Sequence, residues 1–81
     1  MEVEWTEPAI GDMSALDRAV AQRVKRAVER FAVGGAGDVK RLQGMNPPVF
    51  RLRVGDYRVR FRFGGGTVLV LRVLNRREAY R

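Results

Sequence analysis

Apolar residues recur along this chain with two different periods. Val3 and Trp5 stand between Glu2, Glu4 and Thr6, the period-two pattern of a short half-buried strand. Pro8 comes next, and proline costs nothing in the first turn of a helix because the N–H it lacks has no partner there. The pattern predicts a helix over residues 7–16, capped by Thr6 and weakened by Gly11, with Ile10, Met13 and Leu16 on one side. Asp17 supplies a second N-cap. From Arg18 to Phe31 the residues Val20, Val24, Ala27, Val28 and Phe31 form one stripe at helical spacing, so this helix lies on a sheet. Gly34 and Gly35 end it, since glycine accepts the left-handed conformation that closes helices. Residues 34–48 read mostly as linker. Within them Val39 and Leu42 dip into the core, and Pro47-Pro48 lead in extended form to the next strand.

Period two returns at Val49. Strands over residues 49–54 and 57–63 flank Gly55-Asp56, a two-residue hairpin signal. Counting outward from that turn sets Val54 opposite Tyr57, Leu52 opposite Val59 and Phe50 opposite Phe61 on the core side. The other side then carries Arg53 opposite Arg58 and Arg51 opposite Arg60. Like charges placed opposite one another destabilise a sheet, so the arrangement points to an anionic ligand. Gly64 to Gly66 reads as a three-residue loop into a last strand over 67–74, with Phe61 opposite Leu69, Val59 opposite Leu71 and Arg58 opposite Arg72. A loop of two or four residues would turn Arg72 into the core as a lone charge. The fold class is α+β in the order β-α-α-β-β-β. Two N-terminal helices pack on one face of a mostly antiparallel four-stranded sheet, in a single domain over residues 1–81.

A chain of 81 residues buries only about 60% of the surface its unfolded form exposes, and so small a core is usually stapled by disulfides, a metal or a partner. With neither Cys nor His to build the first two, no metal or cofactor is expected and a protein partner is. The opening Met1-Glu2-Val3-Glu4 is unlike the basic start of a secretory signal, and no apolar run approaches the roughly 20 residues of a membrane span, so the expected location is cytoplasmic.

The net charge of +7 is unevenly placed. In residues 1–48 Arg18, Arg23, Lys25, Arg26, Arg30, Lys40 and Arg41 are balanced by Glu2, Glu4, Glu7, Asp12, Asp17, Glu29 and Asp38. In residues 49–81 the arginines Arg51, Arg53, Arg58, Arg60, Arg62, Arg72, Arg76, Arg77 and Arg81 meet only Asp56 and Glu78. Arginine clustered in this way is the footprint of phosphate recognition, and solubility alone does not explain the exclusive use of Arg over Lys.

The run Phe50-Arg-Leu-Arg-Val-Gly-Asp-Tyr-Arg-Val59, the hydrophobic strand after it and the tail Leu74-Asn-Arg-Arg-Glu-Ala-Tyr-Arg81 resemble the RelE branch of the RelE/ParE superfamily of type II toxin–antitoxin toxins. Leu42-Gln-Gly44 and the two helices fit as well. The resemblance implies a ribosome-dependent messenger-RNA endoribonuclease that inhibits translation, the 2′-hydroxyl attacking the adjacent phosphate. It implies catalytic roles for Arg53, Arg58, Arg76 and Tyr80 and RNA binding by Arg51, Arg60, Arg72 and Arg77. It implies as partners a cognate acidic antitoxin in a heteromeric complex and the ribosome with message in its decoding site. Guanidinium groups suit the work, because they hold phosphate oxygens in pairs and stabilise charge on a pentavalent phosphorane. Asn75 stands where many relatives carry His. Arginine, which stays protonated at any working pH, is a poor base, which leaves Tyr80, at about 10 before its surroundings act, or else catalysis by positioning. Asn75 also reads as a strand-ending turn residue, and Tyr80 as a tail residue on the sheet edge. The rival class is the ParE type, which poisons DNA gyrase by binding it. A third reading is a toxin kept only as an antitoxin-binding scaffold.

Overall fold

A computed structural model describes residues 1–79 of the chain. Its elements are β1 (Glu2–Trp5), α1 (Glu7–Ser14), α2 (Arg18–Gly34), β2 (Asp38–Arg41), β3 (Phe50–Val54), β4 (Tyr57–Gly64), β5 (Thr67–Asn75) and α3 (Arg76–Ala79). The five strands form one sheet in the order β1-β5-β4-β3-β2, with β1 parallel to β5 and every other pair antiparallel.

Both long-range helices start where the caps predict. The Thr6 hydroxyl accepts from the Ala9 N–H and the Asp17 carboxylate from the Val20 N–H. Gly35, at φ 74°, closes α2 in the left-handed conformation. The apolar stripe of α2 buries Val24, Val28, Phe31 and Ala32 against Leu52, Val54, Val59, Phe61, Val68, Val70 and Val73. Each large side chain so buried contributes about 1.5–3 kcal/mol relative to exposure, which holds α2 on one face of the sheet. On α1 the buried residue is Ala9, whereas Ile10 points outward and Met13 and Leu16 are half-buried. The expected stripe on that helix is therefore rotated.

Two corrections concern the sheet. Residues 34–48 are not only linker: Asp38–Arg41 pair with β3 through Val39↔Leu52 and Lys40↔Arg51, making a fifth strand at the edge. Four residues with a single half-buried apolar position carry too little alternation to announce a strand. The turn between β4 and β5 is the second. It has two residues, Gly65 and Gly66, both at positive φ, with Gly64 paired to Thr67. Continued regularly, this register would set Arg72 beside Val59 in the core. A bulge prevents it: Phe61 pairs with Val70 but Arg60 pairs with Arg72, so Leu71 is the extra residue and every later side chain changes face. Val59 thus meets Val73, and Arg58 meets Leu74. The expectation that Arg72 stays outside holds; the expected three-residue loop and its pairings do not.

α1 covers the part of β5 that β1 is too short to reach. The Thr6 N–H donates to the Val70 carbonyl, the Thr6 hydroxyl lies 3.0 Å from the carbonyl oxygens of Val70 and Leu71, and the Val73 N–H donates to Asp12 at 2.9 Å. The backbone groups freed at the bulge find side-chain partners there.

Candidate nucleic-acid interface

The face of the sheet away from α2 carries the arginines, and the register arranges them in rows. One row crosses four strands as Lys40, Arg51, Arg60 and Arg72. Neighbouring strands lie about 4.8 Å apart, so this is a short line of four cations across the sheet. The next row reads Asp38, Arg53, Arg58 and Leu74. Arg62 lies beyond, opposite Leu69.

The cations differ in how far they are committed within the protein. Arg53 is exposed. Arg51 is half-buried, with Asp38 at 3.6 Å. Arg60 donates to the Ala79 carbonyl at 3.2 Å, which ties α3 to this end of the sheet. Arg72 binds the Asp12 carboxylate through two nitrogens, at 2.7 and 3.1 Å. Burial raises the Asp12 pKa, but the hydrogen bonds from Arg72 and the Val73 amide, with the Arg72 charge, hold it below the usual carboxylate value. The same pair raises Arg72, with Glu78 adding a smaller attraction. Arg58 is only 3% exposed and donates to the carbonyl oxygens of Gly55 and Tyr57 at 3.1 and 3.2 Å. It lies off the face that α2 covers, as expected, but it is buried rather than facing solvent.

Arg76 and Arg77 are exposed on α3. This short helix begins with a capping box: the Arg77 N–H donates to the Asn75 side-chain oxygen, and the Asn75 N–H donates to Glu78. Asn75 is thus a strand-ending cap. The Arg76 N–H donates to the Asp56 carbonyl at 2.6 Å, which holds α3 beside the Gly55-Asp56 turn. A cleft of about 1020 Å³ opens here, lined among others by Asp12, Tyr57, Arg76 and Arg77. Tyr80 and Arg81 lie outside the described residues.

Two features escaped the sequence reading. The spacing Asn75-x-x-Glu78 is a capping-box signal for α3 that a reading of residues 74–81 as a tail passed over. Arg23, Arg26 and Arg30 recur at helical spacing on α2 and, with Arg53, rim a groove of about 560 Å³ floored by Ala27, Leu52 and Val54. Summing charge over residues 1–48 concealed this second basic surface, because the compensating acids lie largely on β1 and α1. Among the described residues, no group of three or more His, Cys, Asp or Glu is placed to hold a metal ion, and no helix is long and apolar enough to cross a membrane.

Comparison with known proteins agrees with this geometry. The family described as the ParE toxin of the type II toxin–antitoxin system parDE matches residues 3–80. Toxin RelE3 of Methanocaldococcus jannaschii is 26% identical over 99% of this chain and 96% of its own length. The RelB–RelE antitoxin–toxin complex from Methanococcus jannaschii contains a chain with the same fold, at TM-score 0.76 and 24% identity over 94% of this chain and 93% of that one. The archaeal RelE–RelB complex from Pyrococcus horikoshii also gives 0.76, at 21% identity over 93% of each chain. The RelBE2 toxin–antitoxin complex from Mycobacterium tuberculosis gives 0.64 at 28% identity, over 93% of this chain and 96% of that one. With a family match running from the first strand into the tail, and a sheet whose outer face is built from arginine, the chain belongs to the RelE/ParE superfamily of type II toxin–antitoxin toxins.

Proposed function

We propose that this toxin inhibits translation by cleaving messenger RNA at the ribosome. The observation that carries the reading is the cation row Lys40-Arg51-Arg60-Arg72, with exposed Arg53 beside it and Arg76 and Arg77 on the adjoining helix. A message strand laid on this face meets guanidinium groups along its backbone, where they bind phosphate oxygens. In the reaction the ribose 2′-oxygen bonds to the adjacent phosphorus as the P–O5′ bond breaks, leaving a 2′,3′-cyclic phosphate and a 5′-hydroxyl. The 2′-hydroxyl gives up its proton to a base and the departing 5′-oxygen takes one up. Arg53 and Arg76 stabilise the extra negative charge on the phosphorane. Arg58 acts beneath them, bracing the turn whose Asp56 carbonyl holds Arg76. Tyr80 is the proposed proton carrier.

The ParE-type reading draws support from the name of the matching family and from two arginines, Arg58 and Arg72, that are already engaged within the protein. One pair of assays separates the readings. Incubation with translating ribosomes, followed by mapping of message ends, should show new 5′-hydroxyl ends that disappear with Arg76→Ala. Intact message together with loss of gyrase supercoiling would assign the chain to the second class.

The proposed partner in the resting cell is an acidic antitoxin. The groove of Arg23, Arg26, Arg30 and Arg53 over an apolar floor suits an amphipathic acidic segment, whose carboxylates meet the rim while its apolar side chains meet Leu52 and Val54.

A further inference from the structure

We infer that Asp12 is a positioning residue for the C-terminal helix, acting through Arg72 and Arg60. The inference rests on the nuclease reading only for its activity readout; the geometry stands by itself. The row of four cations ends at Arg72, and there the chain supplies one carboxylate, from α1, sixty residues away in sequence. Asp12 takes both Nε and an outer nitrogen of Arg72 while accepting the Val73 N–H, so it grips the bulge at its side chain and its backbone together.

Arg72 is paired directly with Arg60 across the sheet, and two unmatched guanidinium groups so placed repel. The Asp12 charge offsets that repulsion. Arg60 can then remain over β4 and donate to the Ala79 carbonyl, the bond that holds the far end of α3. Glu78 on α3 lies within the field of Arg72 as well, so the two arginines act on the same helix. The near end is held separately, by the Asn75–Glu78 cap and the Asp56 carbonyl. Loss of the Asp12 charge therefore releases the end of α3 at Ala79, which leads to Tyr80, while its start at Arg76 and Arg77 stays held.

Asp12→Asn isolates the charge, because an amide oxygen still accepts from Val73; Asp12→Ala removes both functions. We expect backbone order parameters over residues 78–79, from ¹⁵N relaxation, to fall from about 0.85 to below about 0.6 in Asp12→Asn while those of β4 and of residues 76–77 stay unchanged. In ribosome-dependent cleavage the same variant should lose about tenfold in kcat with KM within twofold, since positioning rather than binding is affected. Combining Asp12→Asn with Arg72→Met removes the repulsion at its source, so the double variant should recover order in residues 78–79. It should cleave no worse than Arg72→Met alone. An α3 that stays ordered in Asp12→Asn, or one that remains loosened in the double variant, would overturn the inference. If the native protein cuts no message, the nuclease reading fails, and the relaxation data still decide the role of Asp12.

Discussion

At the residue scale, arginines of similar appearance in sequence divide into exposed groups and groups bonded within the protein. Arg53 stands in solvent; Arg58, its partner across the hairpin, is buried and bonded to the backbone of its own turn. Arg58→Ala should therefore destabilise the fold by about 1–3 kcal/mol, the usual result of removing a buried hydrogen-bonded group. Arg53→Ala should cost under about 0.5 kcal/mol, and urea unfolding of the two variants measures the difference. Asp12 gives a pH signature. Its folded pKa is depressed, so its contribution is present above the unfolded value near 3.9 and is lost as pH falls through the folded one. Because Arg72 is half-exposed, the charge contributes only about 1 kcal/mol. The stability gap between the native protein and Asp12→Asn should stand at that size at pH 7 and close below about pH 4. A gap that persists at pH 2 would mean that the charge is not its source.

At the scale of elements, the bulge in β5 decides which face the last third of the sheet presents. Two glycines at positive φ make the tight turn, and Leu71 then shifts the phase by one residue. Deleting Leu71 makes Val70 and Arg72 consecutive, so Arg60 still meets Arg72 and Val59 still meets Val73 with no change of face. The deletion variant should therefore keep a cooperative thermal transition. A variant that loses cooperative melting would show that the bulged backbone itself, with the Leu71 carbonyl beside the Thr6 hydroxyl, is required. α3 follows a different logic. A helix of four residues has negligible stability alone, and it exists here through its capping box and its tertiary bonds to Asp56 and Arg60.

For the whole molecule, positive charge lies on two surfaces, the outer sheet face and the α2–β3 groove, each carrying exposed arginine. Association with an acidic antitoxin should be fast at low salt and slow markedly as ionic strength passes the point where screening reaches about 8 Å. Dissociation, governed by the apolar floor of the groove, should change far less. Stopped-flow rates from low to high salt check this; an association rate indifferent to salt would remove the arginine surfaces from partner steering.

The local signals for most of this fold are strong enough to read without coordinates. Both helix caps, the α2 stripe, the Gly55-Asp56 turn and the pairing of Arg51 with Arg60 follow from periods of 2 and 3.6 residues and from turn chemistry acting over a few positions. Tertiary structure decided what depends on distant partners. The fifth strand exists because β3 offers Asp38–Arg41 an edge, and the bulge arises because Arg72 cannot lie beside Val59. The fate of each arginine was settled in the same way: Arg72 meets a carboxylate from α1, Arg60 a carbonyl from α3, and Arg58 folds back onto its own turn. Sequence alone determined that an arginine face exists, because alternation is local. Only the assembled fold determined which of those arginines are left for a ligand, because counter-charges come from anywhere in the chain.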